Sequence, residues 1–356
     1  MRPSKEVTIY DIARVLNISP ATVSRGLKDH PAIRQDTKDR IVETARKMGY
    51  RHNSFARNLR QQRTNTIGVI VHRLSSYFIS TVIAGMENAL TEAGYNLIIS
   101  QSMESYKKEV ANSKTMFNSR VDGLMISLAY DTDDFSHISP FLDKRIPVLL
   151  FDRIIPQERC SSVVIDNYSA AYDLTTHLLE QGARTLAHVT GNLKRNVYQD
   201  RLMGYKKALE DFNLPFSEDN IIICDLNEEA GIQAGHQLLN MHPRPDGVFV
   251  ANDACAAFCM RTVKENGICI PGEMAFTGFN DDPISRVIDP NLTTVHYSGK
   301  EMGETAAREL IRQLTGTEKK EPQTIHLGHQ LIIRQSSQKK EVKNDGVTLR
   351  ELTQKN

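Results

Sequence analysis

The sequence predicts an all-α helix-turn-helix head followed by an α/β body of two lobes, each built on a parallel sheet. Three observations carry that prediction. Residues 1 to 63 hold fourteen Lys/Arg against six Asp/Glu, so a net charge of +1 conceals a head near +8 and a body near −7. Within the head, apolar residues recur at helical spacing and are separated by capping residues. Beyond residue 64 the texture changes to short apolar runs alternating with amphipathic segments, in two consecutive sets, which is the pattern of parallel sheets covered by helices.

The first helix is expected from Ile9, with Thr8 as its N-cap and Ile9, Ile12, Ala13 and Leu16 on one face. Asn17 tolerates left-handed backbone and can turn the chain. Ser19 then caps a second helix, with Pro20 at the first helical position, where its missing N–H costs nothing. Val23 and Leu27 face inward, which leaves Thr22, Ser24 and Arg25 as donors toward phosphates and base edges. A third helix is read from about Gln35 to Met48, stopped by Gly49. So basic a head attracts a phosphate backbone in a salt-dependent way.

The run Val7-Thr8-Ile9-Tyr10-Asp11-Ile12-Ala13, then Ser19-Pro20-Ala21-Thr22-Val23-Ser24-Arg25, then Gly49-Tyr50 and Ala56-Arg57-Asn58-Leu59, resembles the LacI/GalR family of bacterial transcriptional regulators. The resemblance implies that Thr8, Ser19, Pro20, Ala21, Thr22, Ser24 and Arg25 meet operator DNA. It also implies a hinge helix at about 53–60, carrying Asn53 and Ala56, with Leu59 as the minor-groove wedge. One departure is His52, which stands where the family commonly has proline. The body is then similar to the type I periplasmic-binding-protein architecture. The implied division is a head 1–49, a hinge 50–64, a body 65–336 and a disordered tail 337–356. Lobe 1 takes about 65–165 and 292–324, and lobe 2 about 166–291 and 325–336, with crossings near Asp166-Asn167, Asp289 to Thr293 and Gln323 to Leu327.

Strands are expected at Ile67–Val71, Asn96–Ile99, Gly123–Ile126 and Pro147–Phe151, then at Leu186–Val189, Ile221–Ile223, Gly247–Val250 and Met274–Phe276. Helices fill the intervals, and Gly94, Gly182 and Gly267 each stand where a helix must stop before a strand begins. Ligands collect beyond the carboxyl ends of parallel strands, so the loops there are the place to look for a site. They carry Tyr77, Phe78, Asp152, Arg195, Arg201, Asn252, Asp253 and Asn280, a set able to grip hydroxyls with an aromatic floor. Arg195 also matches the family's effector-binding arginine. Asp253 is equally suited to capping a helix from Ala254, and Tyr77 and Phe78 to packing. Asn280 replaces a common aspartate, and Val197 a hydroxyl found in some relatives.

No nucleophile elbow, phosphate-binding loop or His-Glu-x-x-His pair occurs, so no enzyme and no cofactor are expected. Five cysteines, an odd number mostly within apolar runs, read as buried thiols, with no metal-ligand spacing. The N-terminus has no hydrophobic signal segment, which points to the cytoplasm. The expected protein is a homodimeric, ligand-responsive operator-binding regulator, with a carbohydrate as effector. A solute-binding protein and a purine-responsive regulator are the alternatives. The tail has too few leucines at heptad spacing to make a tetramer.

Overall fold

The structure, a computed structural model, describes residues 7–50, 63–316 and 321–338. The expected hinge helix, with His52, Asn53, Ala56 and Leu59, lies outside the described residues, as does all but the start of the tail. The chain forms two compact units, Met1–Thr64 and Asn65–Asn356.

In the first unit α1 spans Ile9–Leu16, α2 Pro20–Gly26 and α3 Gln35–Lys47. The Thr8 amide and hydroxyl both donate to Asp11 Oδ2, at 2.9 and 2.7 Å, closing the start of α1. Asn17 ends it at φ 54, and the Thr22 amide donates to Ser19 Oγ at 3.1 Å to begin α2. Ile12, Ala13, Val23, Ile41 and Ala45 make the core, flanked by Leu16, Leu27, Met48 and Tyr50. So small a core gives the head little stability of its own.

The second unit contains a six-stranded parallel sheet in the order β11-β5-β4-β3-β1-β2 and a four-stranded parallel sheet in the order β7-β6-β8-β9. The first defines lobe 1: β1 Thr66–Val71, β2 Asn96–Gln101, β3 Gly123–Ile126, β4 Val148–Phe151, β5 Ser161–Ile165 and β11 Thr324–Leu327. The second defines lobe 2: β6 Leu186–Thr190, β7 Ile221–Ile223, β8 Gly247–Val250 and β9 Ala275–Thr277. Lobe 1 carries α4 Tyr77–Glu92, α5 Tyr106–Asn118, α6 Ser139–Asp143 and α12 Gly299–Thr315. Lobe 2 carries α7 Asn167–Glu180, α8 Asn196–Asp211, α9 Glu228–Asn240, α10 Asp253–Glu265 and α11 Ile284–Val287. Gly94, Gly182 and Gly267 stop α4, α7 and α10 at φ between 79 and 92, where a side chain would be strained.

Three details differ from the sequence reading. Strand β11 pairs with β5, so Thr324–Leu327 belongs to lobe 1 and the last crossing follows Leu327. A third, antiparallel ribbon of β10 Thr294–His296 and β12 Gln330–Ile332 joins the two crossing segments. Among the cysteines, Cys160, Cys255 and Cys259 are buried thiols, but Cys269 is exposed, because it lies past the end of α10.

Candidate functional site: the recognition helix and the interlobe cleft

On the head, Thr8, Ser19, Ala21 and Arg25 are exposed, and Pro20, Thr22 and Ser24 are half-buried. Burial of Val23 and Gly26 against α3 fixes which side of α2 is free. Two of the hydroxyls expected to face outward have local partners. Ser19 Oγ and Thr22 Oγ1 lie 2.9 Å apart and are hydrogen-bonded to each other.

In the body, residues at and beyond the carboxyl ends of the strands meet across the boundary between the lobes. The backbone there is unusual: Met103 and Glu104 after β2, Asp152 after β4, and Asn280 and Asp281 after β9 all have positive φ. Left-handed L-residues persist where their surroundings over-determine them, and they gather at ligand clamps.

Arg195 precedes α8 and is only 2% exposed. Its Nη2 donates to the Thr132 carbonyl of lobe 1 at 2.6 Å, while Nε and Nη1 meet no hydrogen-bond acceptor. Its nearest carboxylate, Asp133, is 4.0 Å away and largely exposed, and burial draws the guanidinium below its ordinary pKa. A buried cation with two idle donors is costly unless something arrives to accept from them. Arg201, one and a half turns further along α8, is differently placed. It donates through Nε to Asn167 Oδ1 at 2.9 Å and through Nη1 to the Ala251 carbonyl at 2.7 Å, and lies 3.6 Å over the Phe279 ring. It braces the strand ends rather than offering free N–H groups.

The remaining expected residues divide. Asn252 caps α10, accepting from the Cys255 amide at 2.7 Å and donating to the Leu226 carbonyl at 2.9 Å. The alternative role given to Asp253, capping that helix, therefore belongs to Asn252. Asp253 is fully buried, accepts from Thr294 Oγ1 and from the Asp282 amide at 2.7 Å each, and burial raises its pKa to about 8. Asp152 is buried with its pKa raised by burial, and Ser127 Oγ donates to it at 3.4 Å. Tyr77 and Phe78 are in the first turn of α4 rather than in a loop, because Ser76 caps the helix earlier than the apolar pattern suggested. Tyr77 is exposed, and Phe78 is buried with its ring 4.9 Å from Tyr297.

Tyr297 was not among the expected residues. It follows β10 on a crossing segment, donates to Asn280 Oδ1 at 2.8 Å, and stands 5.7 Å from Phe279, so Phe78, Tyr297 and Phe279 form a buried aromatic cluster drawn from both lobes. Arg153, Glu104, Tyr130 and Tyr198 were also missed. Glu104, Tyr130 and Arg153 follow three different strands and Tyr198 lies on α8, and no linear spacing connects them.

Residues 8–53 match the model of bacterial regulatory proteins of the lacI family, and residues 175–337 match a periplasmic binding protein-like domain. The catabolite control protein A of Priestia megaterium is 31% identical over 332 residues, covering 93% of this chain and 99% of that protein. The HTH-type transcriptional repressor PurR of Yersinia pestis (strain Pestoides F) is 29% identical over 331 residues, covering 92% of this chain and 96% of that protein. Among solved structures, a complex of the transcriptional regulator CelR with cellobiose aligns with a TM-score of 0.71 at 25% identity, covering 93% of this chain and 100% of the other. A lac repressor dimer bound to operator and an anti-inducer aligns with a TM-score of 0.80 at 23% identity, covering 94% and 99%, and shows the shared fold.

Proposed function

The chain belongs to the lacI family of bacterial regulatory proteins, and from that premise we propose that α2 reads an operator under the control of a sugar or sugar derivative held between the lobes. It is a DNA-binding transcriptional regulator and not an enzyme. The observation that carries the effector reading is Arg195, buried at the cleft with two N–H donors unmatched. Neighbouring hydroxyls of a sugar, or an acidic oxygen of a derivative, supply acceptors of the kind those donors lack. A sugar is favoured because the similar CelR structure holds cellobiose.

The regulator acts as a dimer, each head placing α2 in a major groove of one half of a near-palindromic operator. Effector binding favours one lobe arrangement and thereby changes operator affinity, a coupling typically of 1 to 3 kcal/mol. Calorimetric titration of the whole chain with sugars, sugar phosphates and purines tests this. Saturable binding of a sugar-class ligand that alters operator affinity supports the reading. Binding of a purine alone replaces the carbohydrate, and binding that leaves operator affinity unchanged removes the regulatory role.

A further inference from the structure

One buried cation in the cleft is left unused by the reading above. Arg153 follows β4 in lobe 1 and is 5% exposed. Its Nη1 donates to both carboxylate oxygens of Glu104 at 2.9 Å each. Its Nη2 donates to Tyr198 Oη on α8 of lobe 2 at 3.0 Å, and to Tyr130 Oη of lobe 1 at 3.3 Å. The guanidinium also lies 4.4 Å over the Tyr130 ring, and the two phenol oxygens are 3.2 Å apart. One of these partners, Tyr198, belongs to the opposite lobe.

The surrounding contacts run the same way across the cleft. The Ile154 amide of lobe 1 donates to Asn196 Oδ1 of lobe 2 at 2.9 Å, and Asn196 Nδ2 donates back to the Asp152 carbonyl at 3.1 Å. Lys194 meets Asp133 at 3.2 Å, though both are exposed and so contribute little. Glu104, which orients Arg153, is held at φ 58 directly after Met103 at φ 52. Two consecutive left-handed L-residues are unfavourable, and such a conformation persists where its surroundings over-determine it. The Glu104 carboxylate is positioned at that expense, and Arg153 is what it holds.

We infer that Arg153 is a positioning residue that bolts the lobes together, anchored by Glu104 on its own lobe and engaging Tyr198 on the other, and so favours the closed arrangement of the lobes. The inference rests on the cleft being the effector site and adds how that site is regulated. A bolt of this kind raises the population of the closed form in the effector-free protein. Removing it lowers the apparent affinity of a ligand that prefers closure by the lost fraction of competent molecules.

The Ile154 amide is a natural reporter, because its acceptor is on the far lobe. Hydrogen exchange on the whole chain without effector should find it protected. Tyr198→Phe deletes a single oxygen and should speed exchange at Ile154 about tenfold, the scale of a lost charge-assisted hydrogen bond, while Val69 in β1 and Val189 in β6 keep their rates. Arg153→Met should do at least as much. Because that substitution also leaves the Glu104 carboxylate with only Arg73, 3.7 Å away, as a cation, Tyr198→Phe decides the matter. An Ile154 amide that exchanges freely in the unsubstituted protein overturns the bolt. So does an unchanged rate in Tyr198→Phe, or an acceleration spread evenly over both sheets. No effector enters the experiment, so its failure leaves the sugar-binding reading standing, and an unsuccessful ligand panel leaves the bolt standing.

Discussion

Replacing Arg195 with methionine separates a binding group from a structural strut, because the two roles predict different signs. Methionine retains much of the buried stem and leaves little cavity, so the change is mainly the loss of charge and donors. In the effector-free protein one bond disappears, Nη2 to the Thr132 carbonyl at 2.6 Å, worth about 1.5 to 3 kcal/mol for a charged donor. Against it stands relief of a buried cation whose Nε and Nη1 have no acceptor, at about 1 to 3 kcal/mol for each unsatisfied group. The relief, about 2 to 6 kcal/mol for the two groups together, matches or exceeds the loss, so unfolding stability should stay within about 2 kcal/mol of the unsubstituted protein or rise. Effector affinity should fall about 10- to 100-fold, as one or two charged hydrogen bonds are lost. Urea denaturation measures the first quantity and calorimetry the second. A stability loss well beyond about 2 kcal/mol with unaltered effector binding would refute the reasoning and make Arg195 a brace like Arg201.

Three other outcomes are expected. Arg25→Ala should relax base preference by about 1 to 3 kcal/mol at its contact position, measured by selecting bound duplexes from a random pool; an unchanged preference excludes Arg25 from readout. Gly204→Ala on α8 places a Cβ 2.2 Å from the Tyr168 carbonyl and 2.9 Å from the Tyr172 amide, forcing α7 and α8 apart. Alanine's helix propensity recovers about 1 kcal/mol, but overpacking should still lower the thermal midpoint, and an unchanged midpoint would contradict the close helix contact. For Asp253, the folded carboxyl titrates near pH 8 against 3.8 as its ordinary value, so the folded state holds one more proton between those limits. That contribution to stability is full below pH 4 and is lost as pH rises toward 8. Asp253→Asn should flatten this decline in a pH series of unfolding midpoints, and an equally steep decline would assign it to another group, Asp282 first, whose carboxyl is raised to about 6.

The parts of this protein visible in its sequence are those fixed by local chemistry. Thr8, Asn17, Ser19 and Pro20 delimit the helices of the head because caps and left-handed turns depend on a few adjacent residues. Gly94, Gly182 and Gly267 mark helix ends for the same reason. Apolar runs announce parallel strands because both sheet faces are buried. Arg195 stood out because a motif surrounds it. Strand β11 was given to the wrong lobe because its partner β5 lies about 160 residues away and nothing local specifies that register.

The sequence by itself determined the architecture, the helix pair of the head and the loops in which a binding site was sought. Only the tertiary structure decided what each loop side chain does. It left Arg195 with idle donors, spent Arg201 and Asn252 on bracing and capping, buried Asp253, and joined Glu104, Arg153 and Tyr198 across the cleft. The physical reason is that a side chain's chemistry depends on which partners are left for it after folding. Arg153 and Arg195 carry the same group, yet one is bonded to a carboxylate and two phenols while the other donates to a single backbone carbonyl.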